Sequence, residues 1–340
     1  MPATAEGVCA AANNRGQKAP HRPLARRRRL GREPSGPFQM QSQTSLPDKV
    51  LEWLNKQGYP TEFQVANICH RNGFRVFQGY HVRSESSDVP REIDVLAQTD
   101  DLSDDYLIRV CHVIECKWSR DKPWVVLTSR HGQLANPACV AQTIGSLLGW
   151  TILWTMSQDP DLHALDLFST PDRPGFSGRQ VFSQSADLFY STMQSVVDVS
   201  MLEMAGYDEH SRRIGTLPRN AVIAFPMIVV DGQIFEAFFD EFSQNMRVEQ
   251  RKLVRVHWRG ARSWHLHATI DVVSLDHLDE FLKTRAHDVT IVLEKLKTKR
   301  NELAKCFEEK SLDGLKLPGE PRGISRIPPL LREAIAKTPD

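Results

Sequence analysis

Arg91-Glu92-Ile93-Asp94-Val95-Leu96-Ala97 and, about twenty residues further on, Val113-Ile114-Glu115-Cys116-Lys117-Trp118-Ser119 each place charge inside a run otherwise suited to a buried strand. Side chains alternate along a strand. Glu115 and Lys117 therefore leave one face together, and Asp94 leaves the face opposite Ile93 and Val95. If the two runs pair, two carboxylates and one ammonium converge. Leaving them unpaired in a core costs on the order of several kcal/mol each. A divalent cation compensates them: Mg²⁺ takes one or two carboxylates, keeps waters and binds phosphate oxygens. Such an ion acidifies water and neutralises charge growing on a phosphate, and Lys117 is placed to orient the water or stabilise the transition state. A plain ion pair between strands, Asp94 with Lys117 and Glu115 left to Arg91 or Arg109, compensates them too. The pattern alone leaves both readings open.

The flanking segments predict helices and further strands. Val50, Leu51 and Leu54 recur at helical spacing after Ser45-Leu-Pro-Asp48, and Gly58-Tyr-Pro60 breaks that helix. Thr61 is expected to cap a second helix carrying Phe63, Ala66 and Cys69, which Asn72-Gly73 ends. Phe74 to Tyr80 and Arg91 to Gln98 read as strands, Asp100 to Asp105 as an acidic loop, and Tyr106 to Trp118 as a third strand forming a hairpin with the second. A helix is expected from Asn136 to Trp154, and another over residues 184–206. Ala221 to Val230 is apolar throughout, the texture of a buried strand; Asp231-Gly232 reads as a hairpin turn, and Ile234 to Phe239 returns. Lys252 to Trp258 and Leu266 to Val272 read as strands and Leu275 to Lys299 as a helix. The expected class is α/β, a mixed central sheet flanked by helices, with helical and strand additions after the first core. The divisions are a disordered basic tail (1–45), a core with the charged motifs (46–158), a polar loop or insertion (159–183), a continuation (184–305), and a charged, Pro-rich tail (306–340).

Asp94 followed by Glu115-x-Lys117 resembles the PD-(D/E)XK nuclease superfamily, whose restriction endonuclease-like core is a helix, a three-strand meander, a helix and a further strand. The likeness covers about residues 60–155. It implies a metal-dependent nuclease acting on phosphodiester bonds, in DNA before RNA, with Mg²⁺ or Mn²⁺ as cofactor. Asp94 and Glu115 would be the metal ligands, the Cys116 backbone carbonyl a third, and Lys117 the catalytic lysine. Many members add a Glu from the first core helix, the place Glu62 occupies. Two features depart from the pattern. Pro90 stands four residues before Asp94, and Gln142 is followed by Ser146 where some members carry Tyr. The alternative is a nuclease-fold module without catalysis that binds nucleic acid or a protein.

Composition constrains the partners. The 340 residues carry 43 Lys and Arg against 42 Asp and Glu, a net charge of +1, so basic surface for nucleic acid must come from local segregation. Arg26 to Arg29 is such a segment, read as a solvated tail, or as an over-extension ahead of a natural start at Met40-Gln-Ser-Gln, before a functional basic arm. Six cysteines without a C-x-x-C pair, no signal-peptide pattern and no membrane-length apolar run fit a cytoplasmic protein with no membrane partner. Trp118, Lys122 and Trp124 suit packing better than stacking. Ser129, Arg130 and His131 form a polar loop open to phosphate contact or plain solvation. His265 and His267 alternate without a nearby acidic partner. The region beyond residue 160 is expected to complete the sheet, or to supply a specificity element or a homodimer surface.

Overall fold

The computed structural model describes residues 45–84, 87–103, 106–130, 143–182, 188–213, 220–259, 267–309 and 311. The expected basic arm, Met40, His131, Gln142 and His265 lie outside them. Two helices, α1 (Leu46–Gln57) and α2 (Tyr59–Arg71), precede a meander of β1 (Arg75–Ser84), β2 (Ser87–Ser103) and β3 (Tyr106–Thr128). The short β4 (Ile144–Gly145), α3 (Leu147–Thr155), α4 (Pro160–His163) and β5 (Gly175–Gln180) follow. The long α5 (Leu188–Arg213) leads into β6 (Asn220–Asp240), β7 (Asn245–Arg251), β8 (Leu253–Arg259), β9 (His267–Ser274) and α6 (Leu278–Glu308). Among the described residues no helix is long and apolar enough to cross a membrane.

The architecture is α/β with a mixed sheet. β1, β2 and β3 pair antiparallel in sequence. β6 then runs parallel to β3 along nearly its whole length, from Leu107↔Asn220 to Leu127↔Ala237. This pairing explains the apolar run Ala221–Val230 within β6: both faces are covered there, which favours an apolar side chain at every position. On one face sit α2, α3 and α6 through Val65, Cys69, Leu148, Ile152, Leu282 and Val292. On the other sits α5 through Met193, Val196 and Val197. The order β3-β5-β8-β9-β6, closed by β3 against β6, makes a ring of five strands.

Several expectations require correction. The stretch 159–183, expected as a polar loop, supplies β5, a member of that ring paired with β3 and touching β8 at Gly175↔Val256. Its glycines hid it: a Cβ on Gly175 would stand 2.8 Å from Val126 Cγ1, and one on Gly178 2.5 Å from the Phe189 ring. These positions are empty because neighbours fill them. The acidic loop is mostly strand, for β2 runs on to Ser103. Asp100 is drawn into the ladder by Arg109 and Arg75, at 2.5 and 2.7 Å. β3 likewise runs past Trp118 to Thr128, and Trp124 is fully buried against Phe189. The helix expected from Asn136 is described only from Leu147, where the Ser146 hydroxyl caps it by accepting from the Gly149 N–H. α2 starts at Tyr59, behind a left-handed Gly58 and with Pro60 in its first turn, so Thr61 is inside the helix and does not cap it. Asp231-Gly232 is not a turn. It lies within β6 opposite Trp118 and Ser119, and a side chain on Gly232 would run into the Ser119 carbonyl.

A second group of charges sits in strands of the same texture. Arg255, between Val254 and Val256, is 6 % exposed and Arg285 is 0 % exposed. Arg255 donates to both oxygens of Asp271, at 2.7 and 3.2 Å, and Arg285 Nη2 donates to Asp271 Oδ2 at 2.9 Å. Arg255 also donates to the backbone carbonyls of Asp166 and Ser169, tying the 166–169 segment to the core. The two guanidinium groups hold the Asp271 carboxyl down at about 2, against its burial.

Candidate functional site

The ladder between β2 and β3 has its last pair at Val95↔Ile114, so the two strands part just where Asp94 and Glu115 follow. Leu96 opposes Val113 on the α5 side of the sheet, but Ile93 packs on that side too while Val95 packs on the other, so alternation breaks at Asp94, just where the gap opens. Asp94 is half-buried and its Oδ2 accepts from the Cys116 N–H at 2.7 Å. Lys117 Nζ lies 2.5 Å from Glu115 Oε1, with side chains 22 % and 16 % exposed. The ion pair therefore joins Glu115 to Lys117, while Arg91 turns to Asp198 and Arg109 to Asp100. Asp94 is left facing a second carboxylate.

This crowding marks the site electrostatically. Burial, then the neighbouring Glu115 charge, push the Asp94 carboxyl up to about 7, against the Cys116 N–H and Lys117, which favour ionisation. Glu62, half-buried in the first turn of α2, is raised as well, by burial first and then by Glu92, with Lys117 opposing and Glu115 adding. All four expected side chains thus act on one another. Glu92, two residues before Asp94 on β2, joins them through its charge on Glu62; its spacing alone does not single it out.

Asp231 is the other addition. Its Oδ2 accepts from Thr61 Oγ1 at 3.3 Å and from Arg120 Nε at 3.0 Å. It ties the first turn of α2, and with it Glu62, to β6. Its reading as a turn concealed this contact.

The donor set is hard: carboxylate oxygens and a backbone, the class that suits Mg²⁺ or Mn²⁺. Burial raises the Cys116 thiol well above its usual value, which leaves its sulfur protonated and unsuited to a metal. Among the described residues no group of three or more His, Cys, Asp or Glu side chains is arranged to hold a metal ion. A cation here would rest on Asp94 and Glu115 with backbone and water completing its shell. The unrelieved Asp94 carboxylate is the feature that fits one.

The Asp94 value has a consequence for stability. It lies above the 3.8 of a free aspartate, so ionisation opposes folding. The cost is absent below about pH 4, grows as pH rises and is complete above about pH 7. Urea unfolding of metal-free protein is expected to show stability falling across that window, and Asp94→Asn, which cannot ionise, to flatten the fall. A profile that Asp94→Asn leaves unchanged contradicts this account of the site.

The remaining candidates lie apart. Trp118 is 44 % exposed at the Gly58 bend, where a Cβ would stand 3.1 Å from its own. Arg130 lines a cleft of about 350 Å³ at the far end of β3 with Arg173, Arg251, Arg255 and Glu236, which none of Glu62, Asp94, Glu115 or Lys117 touches. Its inner arginines are already paired, Arg173 and Arg251 with Glu236 and Arg255 with Asp271. The His267 backbone pairs with Arg259 at the start of β9. No family model, curated protein or solved structure matches the chain.

Proposed function

We propose that the chain is a Mg²⁺-dependent nuclease of the PD-(D/E)XK kind, hydrolysing phosphodiester bonds in DNA. The observation that carries this is Asp94, a carboxyl held near 7 beside Glu115 and Glu62 where two strands part. Part of the element order supports it: α2 and the antiparallel meander come first, and after β4, α3, α4 and β5 the helix α5 leads into β6, parallel to β3. In this reading Asp94 and Glu115 would hold the cation, with the Cys116 backbone carbonyl as a third ligand. Bound there, the ion would supply positive charge to the phosphate and acidify water. Lys117 donates its N–H groups to the attacking water or to the phosphate as its charge grows. Water oxygen bonds to phosphorus, the bond to the leaving sugar oxygen breaks, and that oxygen takes up a proton. Glu62 assists from α2 by accepting a hydrogen bond from water.

A second reading, a nuclease-fold module that binds without cutting, is favoured by the short Lys117–Glu115 ion pair and the lack of a three-ligand array among the described residues. One experiment separates them. Purified protein is incubated with single-stranded DNA, double-stranded DNA and RNA in Mg²⁺, Mn²⁺ or chelator, and Mn²⁺ binding is measured by calorimetry. Metal-dependent cleavage together with Mn²⁺ binding that Glu115→Ala removes is the expected result. Nucleic-acid binding with neither cleavage nor Mn²⁺ uptake selects the second reading.

A further inference from the structure

β7 pairs with β6 along one side, from Ile234↔Arg251 to Asp240↔Asn245. Among the described residues no strand pairs with its other side. Met246 and Val248 are each 60 % exposed, Phe239 beside Met246 is 53 % exposed, and Phe242 at the turn is 96 % exposed. An open edge with unmet backbone groups and an apolar face is something folded chains usually avoid, by charge, proline, bulge or cover. Here the charges lie on the opposite face and are arranged in a particular order.

We propose that this edge is covered by β7 of a second copy of the chain, antiparallel, about a two-fold axis through Val248. With Val248 opposite its twin, Arg247 stands opposite Glu249 of the other copy, and the pairing repeats across the axis. Within each copy Arg247 is already bound to Asp240 at 2.6 Å, and Glu249 to Arg251 at 2.6 Å. The joined edge therefore carries the row Asp240, Arg247, Glu249, Arg251, alternating in sign across the two molecules. Neighbouring registers lack this property. An axis through Arg247 sets two Arg247 side chains against each other. An axis through Glu249 opposes two glutamates and also Arg247 with Arg251. The charge order selects one register, and in it the exposed Met246 and Val248 of both copies lie on one continuous face.

The test is the association state of the full chain at tens of micromolar, by sedimentation velocity. The wild type is expected to be a dimer. Arg247→Glu or Glu249→Arg alone, each making two like-charge contacts, should weaken the dimer roughly 10–100-fold. The double variant Arg247→Glu with Glu249→Arg should recover it. Because Asp240 and Arg251 stay mismatched in the double variant, recovery reports the contact between copies and not repair within one. Val248→Cys alters no charge and should form a disulfide with its twin on oxidation, since directly opposed Cα atoms are about 4.5–5.5 Å apart. Arg247→Cys, offset from its twin, should not. A monomeric wild type, a dimer indifferent to Arg247→Glu, or the absence of the Val248→Cys cross-link overturns the proposal.

Discussion

Lys117→Ala is expected to lower metal-dependent phosphodiester cleavage by on the order of 10³-fold while the chain still unfolds cooperatively. Lys117 sits 2.5 Å from Glu115 and its charge acts on both Asp94 and Glu62. Under the proposed function, removing it withdraws the donor to the reacting phosphate; in the structure it leaves Glu62, Asp94 and Glu115 without the lysine cation among them. The protein should tolerate that, because Glu115 and Lys117 keep partial access to water. A bound cation would even find the carboxylates easier to engage. Mn²⁺ binding is therefore expected to survive Lys117→Ala, whereas Glu115→Ala should lose it. Cleavage by the purified variant equal to wild type, with a mock preparation inactive, removes Lys117 from the chemistry.

The largest stability effect belongs to Asp271→Ala. It leaves Arg255 and Arg285 buried with their shared carboxylate gone. Breaking a buried ion pair on one side costs about 3–5 kcal/mol, a large part of a typical domain's stability. Urea denaturation at neutral pH should show the loss as a shift in midpoint. Asp198→Ala, which breaks a partly exposed pair with Arg91 and a hydrogen bond from Gln194, should cost far less, about 1 kcal/mol or below. The pH dependence provides a second check. The folded-state value of Asp271, about 2, lies below the 3.8 of the free side chain. Its stabilisation is therefore full above about pH 4 and disappears as pH falls through about 2. The variant should lack that acid-side loss. An Asp271→Ala protein as stable as wild type would mean that the arginines find other partners.

Arg255 and Asp271 also show how far a strand pattern can be read. Asp94 stands between Ile93 and Val95, Asp271 between Ile270 and Val272, Arg255 between Val254 and Val256. All three are charges in apolar strands. Asp271 and Arg255 find each other on adjacent strands and form a structural ion pair, while Asp94 meets another carboxylate. The spacing of Glu115 and Lys117 disclosed the second arrangement because strand parity is local. The first depended on β8 pairing with β9 and on α6 bringing Arg285, which no local spacing encodes. The same limit explains the other differences. β1 to β3 were legible from alternation, and β6 from its unbroken apolar run. β5 was hidden by glycines that make room for Val126 and Phe189. β7 was hidden because, among the described residues, only β6 pairs with it. Asp231-Gly232 looked like a turn because that dipeptide favours one when nothing else acts on it. A parallel partner opposite it overrode the preference.

That partner also sets a timetable. Glu115 and Lys117 lie beside Ile228 and Val230, on the order of a hundred residues further along the chain. Contacts of such separation form slowly, since a long loop must close before they repay its entropy. As the polypeptide leaves the ribosome, Glu62, Asp94, Glu115 and Lys117 are already outside while β3 still has a naked apolar edge. The meander must wait in that state, open to association with other chains, until β6 emerges and α5 folds over it. A product halted between residues 118 and 219 would contain Glu62, Asp94, Glu115 and Lys117 and lack the strand that holds them in place.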